Sequence, residues 1–123
     1  HLHNVLLTDG CRIHDATIRN SVVGLRSIVG PDVSITSSVV MGADYYEPDD
    51  MKNESLRKSR PDIGVGSGSV IEGAIIDKNA RIGRNVTIRS IPNRPDAEGG
   101  NWVSRDGIII VPKNAIIPDG TVI

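Results

Sequence analysis

An aliphatic residue recurs at every sixth position through the middle of the chain. The same spacing returns at the C-terminal end, and a small residue often stands two positions before each aliphatic one. The aliphatic positions are Val70, Ile76, Ile82, Ile88, Val111, Ile117 and Ile123, and the small residues before the first four are Gly68, Ala74, Ala80 and Val86. A short internal repeat of this kind predicts stacked units, and it constrains the fold more tightly than any other feature.

Each position of the repeat has a physical reason. Residues two apart on a strand face the same side, so the aliphatic and the small residue both point inward. Asn or Gly often comes before the small residue because a sharp corner needs a positive φ. Three such units close a triangular coil of about 18 residues. The sequence therefore predicts an all-β fold, a left-handed parallel β-helix built as a hexapeptide-repeat solenoid, with the handedness taken from the hexapeptide class.

The first forty residues follow the pattern less regularly, with spacings of five or six. The small-to-aliphatic pairs there are Cys11/Ile13, Ala16/Ile18, Ser21/Val23, Ser27/Val29, Val33/Ile35 and Ser38/Val40, with Asp15, Asn20 and Asp32 at corners. Composition agrees, because 17 Ile and 13 Val accompany no Phe and only 2% aromatics. Such a chain predicts a narrow interior filled by β-branched side chains. A helical fold is disfavoured, since no segment keeps a 3.6-residue apolar stripe.

Two polar stretches, residues 41–62 and 89–107, interrupt the repeat. We expect both to leave the coils as loops within a single domain of residues 1–123, and loops this long are often functional or interface segments. A short helix is expected around Asp49–Lys58. The remaining residues suffice for roughly four to five coils of about 18 residues.

The charge balance disfavours several partners. A formal net charge of −1 argues against a nucleic-acid surface and against a polybasic membrane surface. No apolar run approaches the roughly 18 residues of a membrane span. The single cysteine, Cys11, excludes an internal disulfide and fits a reducing compartment, so a cytoplasmic location is expected.

The N-terminal end predicts a covered edge. The chain enters strand-like sequence almost at once from His1, with no amphipathic segment to cap the first coil. Solenoids need capped ends, because an open parallel edge invites pairing. We therefore expect the first coil to pack on another domain, another subunit, or both.

Four segments resemble one enzyme family over nearly the whole chain. These are SVVGLRS (21–27), VVMGADYYE (39–47), AIIDKNARIGRNV (74–86) and GIIIVPKNAIIPDGTVI (107–123). They closely resemble the C-terminal domain of bacterial and plant ADP-glucose pyrophosphorylases, also called glucose-1-phosphate adenylyltransferases. The second and third segments are the more specific, since they include solvent-facing residues that a hexapeptide fold does not require.

The resemblance implies a role within a larger enzyme. The family makes ADP-glucose and pyrophosphate from ATP and glucose 1-phosphate with Mg²⁺, for glycogen or starch synthesis. Its catalytic N-terminal domain has no counterpart in this sequence, so the chain alone is expected to be inactive. The resemblance implies that this domain packs on its own catalytic domain, helps to assemble homo- or heterotetramers and contributes to allosteric control. A plant member would lie in a plastid.

One regulatory position follows from the resemblance. Plant-type members bind an anionic activator through a lysine in a string that corresponds to residues 111–115, so Lys113 matches. A second activator lysine of those members has no counterpart, because Ile91 and Pro92 occupy its region, with Arg94 close by. Lys113 and Arg94 are thus the predicted contacts for an anionic sugar-phosphate or carboxylate effector, against the alternative that both are simply solvated.

The aromatic residues stand apart from the repeat. Tyr45, Tyr46 and Trp102 all fall in the two interrupting stretches, and Tyr and Trp concentrate at interfaces, so we predict that they contact another domain or subunit. No catalytic and no metal-binding residue is predicted. Two other functions are alternatives. One is a trimeric hexapeptide acyltransferase with His14 as its base, which the family-specific strings disfavour. The other is a purely structural β-helix of the carbonic anhydrase kind, which would need metal-binding histidines that this chain lacks.

Overall fold

The computed structural model describes all residues 1–123 and shows a triangular parallel β-helix of five coils with one helix. The elements are β1 (Leu2–Leu7), β2 (Arg12–Ile13), β3 (Thr17–Val23), β4 (Ile28–Val29), β5 (Ser34–Thr36), β6 (Val39–Val40), α1 (Asp49–Arg57), β7 (Gly64–Val65), β8 (Val70–Glu72), β9 (Ala74–Ile76), β10 (Arg81–Ile82), β11 (Thr87–Arg89), β12 (Ala97–Glu98), β13 (Val103–Arg105), β14 (Ile108–Val111) and β15 (Ile116–Ile117). The helix is far too short to cross a membrane.

The strands stack in parallel on three faces. The first face is formed by the beginnings of β1 and β3 with β5, β8 and β11. The second is formed by the ends of β1 and β3 with β6, β9 and β14. The third carries β2, β4, β7, β10 and β15. Strands β1 and β3 each turn a corner at an Asn with positive φ, so the first two faces form one sheet.

Ladders of aliphatic residues fill the interior. On the first face Ile18, Ile35, Ile71 and Ile88 lie directly above one another and are fully buried. Burying each such side chain stabilises the fold by about 2–3 kcal/mol. The ladders join into one core of 18 buried residues. The inward pairs predicted for the first forty residues are therefore confirmed from Ala16 to Val40, whereas Cys11 and Ile13 at the open end are only half-buried.

The backbone satisfies the inward serines Ser21 and Ser38 of the coils, whereas the buried Ser104 hydroxyl, on β13 of the second insertion, has no partner. The Ser38 hydroxyl donates to the carbonyl of Thr36 at 2.8 Å and accepts the N–H of Ala74, in the next coil, at 3.1 Å. Ser21 repeats this pattern one coil earlier. A serine thus fits the small inward position because its hydroxyl links two coils without leaving a buried polar group unpaired.

The repeat between coils is shorter than the predicted 18 residues: it is 17 where no insertion intervenes from the second coil onward, and 16 between the first two coils, where Leu2 pairs with Ile18. Ile18 pairs with Ile35, and Ile71 pairs with Ile88, each 17 residues further along the chain. The missing residue lies on the first face: there the corners at Gly68 and Gly73, both with positive φ, are only five residues apart. The expectation that Val70 and Gly68 point inward was therefore wrong. Ile71 and Ser69 do so instead, and Val70 is half-buried.

The two interrupting stretches differ. The first leaves the third coil after β6, contains α1 as predicted and returns at β7. The second was expected to be a loop, yet it carries the short strands β12 and β13. β13 pairs antiparallel with β14, and β12 pairs antiparallel with β13, so together they cover the last edge of the second face. The free edge of this face is therefore the two-residue β12 instead of the four-residue β14, which leaves a shorter template for further pairing.

The corrected register makes a testable prediction. Ile71→Ala should lower the free energy of unfolding by about 2–5 kcal/mol, because it opens a cavity in the core. Val70→Ala, at the neighbouring half-buried position, should lower it by about 1 kcal/mol or less. Urea unfolding followed by circular dichroism measures both. A larger loss for Val70→Ala than for Ile71→Ala would instead support the register predicted from a strict six-residue repeat, in which Val70 points inward.

Candidate functional site

Two lysines lie one above the other at the corner between the second and third faces. Ile76 and Val111 are paired in adjacent strands, so Lys78 and Lys113, each two residues further on, hold equivalent corner positions. The corners are joined directly, since the N–H of Asn114 donates to the carbonyl of Lys78 at 3.0 Å. Both ammonium groups reach solvent, with the side chains 45% and 55% exposed.

A carboxylate lies between the two ammonium groups. Asp44 Oδ1 is 3.4 Å from Lys78 Nζ, and Asp44 Oδ2 is 3.7 Å from Lys113 Nζ. Asp44 belongs to neither corner, because it lies in the first insertion, just after that insertion leaves the coil below. The cluster therefore combines three separate parts of the chain, which only the stacking of coils brings together.

Asn79 holds the Asp44 carboxylate in place. Its side-chain oxygen accepts the N–H of Asp44 at 2.9 Å, and its side-chain nitrogen donates to Asp44 Oδ2 at 3.1 Å. Asn79 is itself buried and has a φ of 60°, as the predicted corner requires. The Asn79 hydrogen bond, and after it the charges of Lys78 and Lys113, hold the pKa of Asp44 below its usual value.

The rest of the first insertion is tied down by a buried ion pair. Arg81 Nη1 lies 2.7 Å from Glu47 Oε2, and these side chains are only 9% and 3% exposed. Glu47 Oε1 also accepts the N–H of Ile63, and Arg81 donates to the carbonyl of Pro61. The buried Ser55 of α1 donates to Glu47 and accepts from Arg81. Since every member is paired, the network fixes both ends of the insertion against the fourth coil.

Of the predicted effector residues, Lys113 lies in this cluster and Arg94 does not. Arg94 is half-buried in a turn after β11, where its N–H donates to the carbonyl of Ile91. Its guanidinium forms no ion pair with Asp44, the carboxylate that both lysines face. Sequence reasoning missed Asp44, Lys78 and Asn79 as site residues. All three lie in the two strings that are most specific to the family resemblance, but nothing in the sequence shows that the stacking of coils aligns them with Lys113.

The predicted interface aromatics occupy three different environments. Tyr45 is 40% exposed, and its hydroxyl lies 3.8 Å from the sulfur of Met51. Tyr46 packs on the first coil, where its hydroxyl donates to the carbonyl of Gly10 at 2.6 Å and its ring lies 4.4 Å from the Arg12 guanidinium. Trp102, on the second insertion, is half-buried against the core. Their role at an interface remains a prediction.

Residues of the two open alternatives are not gathered into a site. His14 follows β2 at the open N-terminal end, and only its backbone N–H is engaged, with the carbonyl of Val29. No group of three His, Cys, Asp or Glu side chains is placed to hold a metal ion. The cluster of Asp44, Lys78, Asn79 and Lys113, called the Asp44 cluster, is therefore the best candidate site, because it places two cations beside one anion.

The buried ion pair leads to a prediction about stability. Glu47→Ala should lower the free energy of unfolding by about 3–5 kcal/mol, because it leaves the Arg81 guanidinium buried without a partner. Glu98→Ala is the matched control, since Glu98 pairs with Arg105 at 2.9 Å on the surface and should contribute about 1 kcal/mol or less. Urea unfolding measures both, and equal losses would contradict the role given to Glu47.

The cause of the lowered Asp44 pKa can be tested by titration. A carboxyl with a lowered folded pKa stabilises the fold above its ordinary value of 3.8, and that contribution is lost as the pH falls through the folded pKa. Carbon-detected NMR should give Asp44 a midpoint below 3.8. Asn79→Gly, which keeps the positive φ, should raise this midpoint most, and Lys113→Ala should raise it less. Lys58→Ala, remote from the cluster, should leave it unchanged. A larger shift for Lys113→Ala than for Asn79→Gly would show that the charge of Lys113, and not the Asn79 hydrogen bond, is the main cause of the lowered pKa of Asp44.

Comparison with known proteins identifies the family. A family model described as the GLGC left-handed parallel beta-helix domain matches residues 1–122. This confirms the predicted left-handed parallel β-helix. The chain is 43% identical, over 120 residues, to a protein of Triticum aestivum named glucose-1-phosphate adenylyltransferase small subunit, chloroplastic/amyloplastic. The alignment covers 96% of this chain and 25% of that relative, so the chain spans about a quarter of the relative's length. The resemblance to ADP-glucose pyrophosphorylases is confirmed, and the chain belongs to the family of GLGC left-handed parallel β-helix domains.

Proposed function

We propose that this chain is a non-catalytic β-helix domain of a glucose-1-phosphate adenylyltransferase, with roles in assembly and in regulation by an anionic effector. The parent enzyme would make ADP-glucose and pyrophosphate from ATP and glucose 1-phosphate. Its Mg²⁺ and its reacting groups would belong to a catalytic domain outside this chain. The family match over residues 1–122, and the fact that the chain spans only about a quarter of the relative's length, support this division. A cytoplasmic location is proposed, or a plastid if the source is a plant.

The paired lysines carry the regulatory part of the proposal. Lys113, the residue expected to bind the effector, is half-exposed and has a second ammonium group, that of Lys78, on the same carboxylate. Lysine is well suited to phosphate and carboxylate groups as a point charge with three donors. A sugar phosphate or a small carboxylate could therefore be held at this corner. Arg94 stays a proposed second contact, which would need another domain or a change of conformation to reach the same ligand.

Assembly is supported by the open end of the solenoid. Strand β1 pairs on one side only, with β3, and its outer edge has no partner within the chain. Leu2 is 52% exposed and Leu6 is 68% exposed on this strand. Exposed leucines beside an unpaired parallel edge suit contact with another domain or subunit. Tyr45 and Trp102 are proposed to extend such contacts elsewhere on the surface.

Calorimetric titration tests the regulatory proposal. The chain is titrated with fructose 1,6-bisphosphate, fructose 6-phosphate, 3-phosphoglycerate and pyruvate. We expect at least one of them to bind, and we expect Lys113→Ala to abolish that binding by removing one of the two cations. Lys58→Ala is the matched control, because Lys58 is also an exposed, paired lysine, with Glu54 at 2.8 Å, and it lies on α1.

Two results would contradict this proposal. Failure of all four compounds to bind would rule out an effector site contained in this domain alone. Equal loss of binding in Lys113→Ala and Lys58→Ala would show that only the overall charge matters. Acetyl-CoA serves as a further probe, since its binding would favour the acyltransferase alternative instead.

A further inference from the structure

The stacking of Lys78 and Lys113 brings two positive charges close together. Equivalent residues in adjacent parallel coils are about 4.8 Å apart along the stack, and like charges at such positions repel each other. Lys78 and Lys113 are such a pair, in successive coils. An anion between them relieves the repulsion, and the chain supplies one itself, the carboxylate of Asp44.

The contacts of Asp44 with the lysines are loose. Distances of 3.4 and 3.7 Å exceed the 2.7–2.9 Å of a good charge-assisted hydrogen bond. All three side chains are 42–55% exposed, a setting in which ion pairs contribute little free energy. An external anion could therefore replace the carboxylate at the lysines. Each ammonium group faces a separate oxygen of Asp44, and a phosphate offers oxygens in the same arrangement.

Asp44 is nonetheless kept beside the lysines by a different set of bonds. Both its N–H and its Oδ2 are hydrogen-bonded to the side chain of the buried Asn79. The carboxylate thus stays near the ammonium groups without depending on them. A group attached in this way has a high effective concentration, so it competes with ligands from solution.

We infer that Asp44 is a built-in competitor that occupies the anion site formed by Lys78 and Lys113 and lowers its affinity for effectors. The inference rests on the proposed effector site, and it adds a residue that sets the affinity of that site. An effector phosphate displaces the Asp44 carboxylate from the ammonium groups, and no covalent bond changes. Removing the negative charge at this residue should strengthen binding, whereas removing either lysine should weaken it.

The substitution Asp44→Asn tests the inference directly. It removes the charge and keeps an oxygen that accepts the hydrogen bond from Asn79. Inorganic phosphate is the probe, followed by NMR through the amide signals of Asp44, Asn79 and Lys113. Asp44→Asn should bind phosphate about fivefold more tightly, the effect of one exposed unit charge roughly 4 Å away. The gain should shrink at high salt.

Two further variants separate this effect from net charge. Glu54→Gln removes one exposed, lysine-paired carboxylate on α1, so it should leave phosphate affinity unchanged. The double variant Asp44→Asn/Lys113→Ala should lose the gain, because the cation that the carboxylate masks is then gone. Together these results would establish Asp44 as the competitor.

The remaining outcomes overturn the inference in distinguishable ways. If Asp44→Asn binds phosphate no better than the unaltered chain, while Lys113→Ala still abolishes binding, Asp44 is no competitor but the effector site stands. If Glu54→Gln tightens binding as much as Asp44→Asn, the effect is one of overall charge. If neither the unaltered chain nor Asp44→Asn binds phosphate, both the inference and an effector site contained in this domain fail.

Discussion

The in-register stacking of coils is the constraint on which the rest of the structure depends. The narrow core of the β-helix contains no large side chains that could fill the gaps left by misaligned residues. Each inward residue must therefore lie over its counterpart in the next coil. Ile18, Ile35, Ile71 and Ile88 meet this condition as one continuous ladder. Extra residues are tolerated only where the chain can leave a coil after one strand and return to the same coil at its next strand. Both insertions begin after a strand ends and rejoin the coil in register, so neither disturbs the ladders.

The same constraint places the charged residues of the candidate site. A lysine at one corner must lie over whatever occupies the same corner one coil earlier, although 35 residues separate Lys78 from Lys113. The repulsion that follows is relieved by an insertion rather than by the coil itself, since Asp44 enters from the coil below. A site of this kind needs no pocket in the core. It needs only a fixed stacking distance and a segment that can carry a carboxylate to the outside of the corner.

The sequence predicted those features that depend on local alternation. Inward pairs such as Ala16 and Ile18 follow from side-chain direction, and corner residues such as Asn79 follow from positive φ, and both are present. The helix α1, expected in the polar first insertion, is present as well. The 17-residue coil escaped prediction, because aliphatic residues at both 70 and 71 allowed two registers. The strands β12 and β13 escaped it too, since their pairing depends on β14 rather than on their own composition. Predicting Asp44 and Lys78 as site residues would have required knowing which coils are adjacent.

The first insertion forms two kinds of ion pair with the coils, a buried one at Glu47 and exposed ones at Asp44. Glu47 and Arg81 are buried, with Glu47 Oε2 2.7 Å from Arg81 Nη1, so removing one of them would leave the other charge buried without its partner. Asp44 and its lysines are half-exposed at longer distances, so exchanging the carboxylate for another anion has little effect on the fold. The buried pair would keep the insertion in place if an anion displaced the Asp44 carboxylate from the lysines. Ligand exchange at the corner is therefore compatible with a rigid solenoid, because the insertion is stabilised mainly by the buried Glu47–Arg81 pair and not by Asp44.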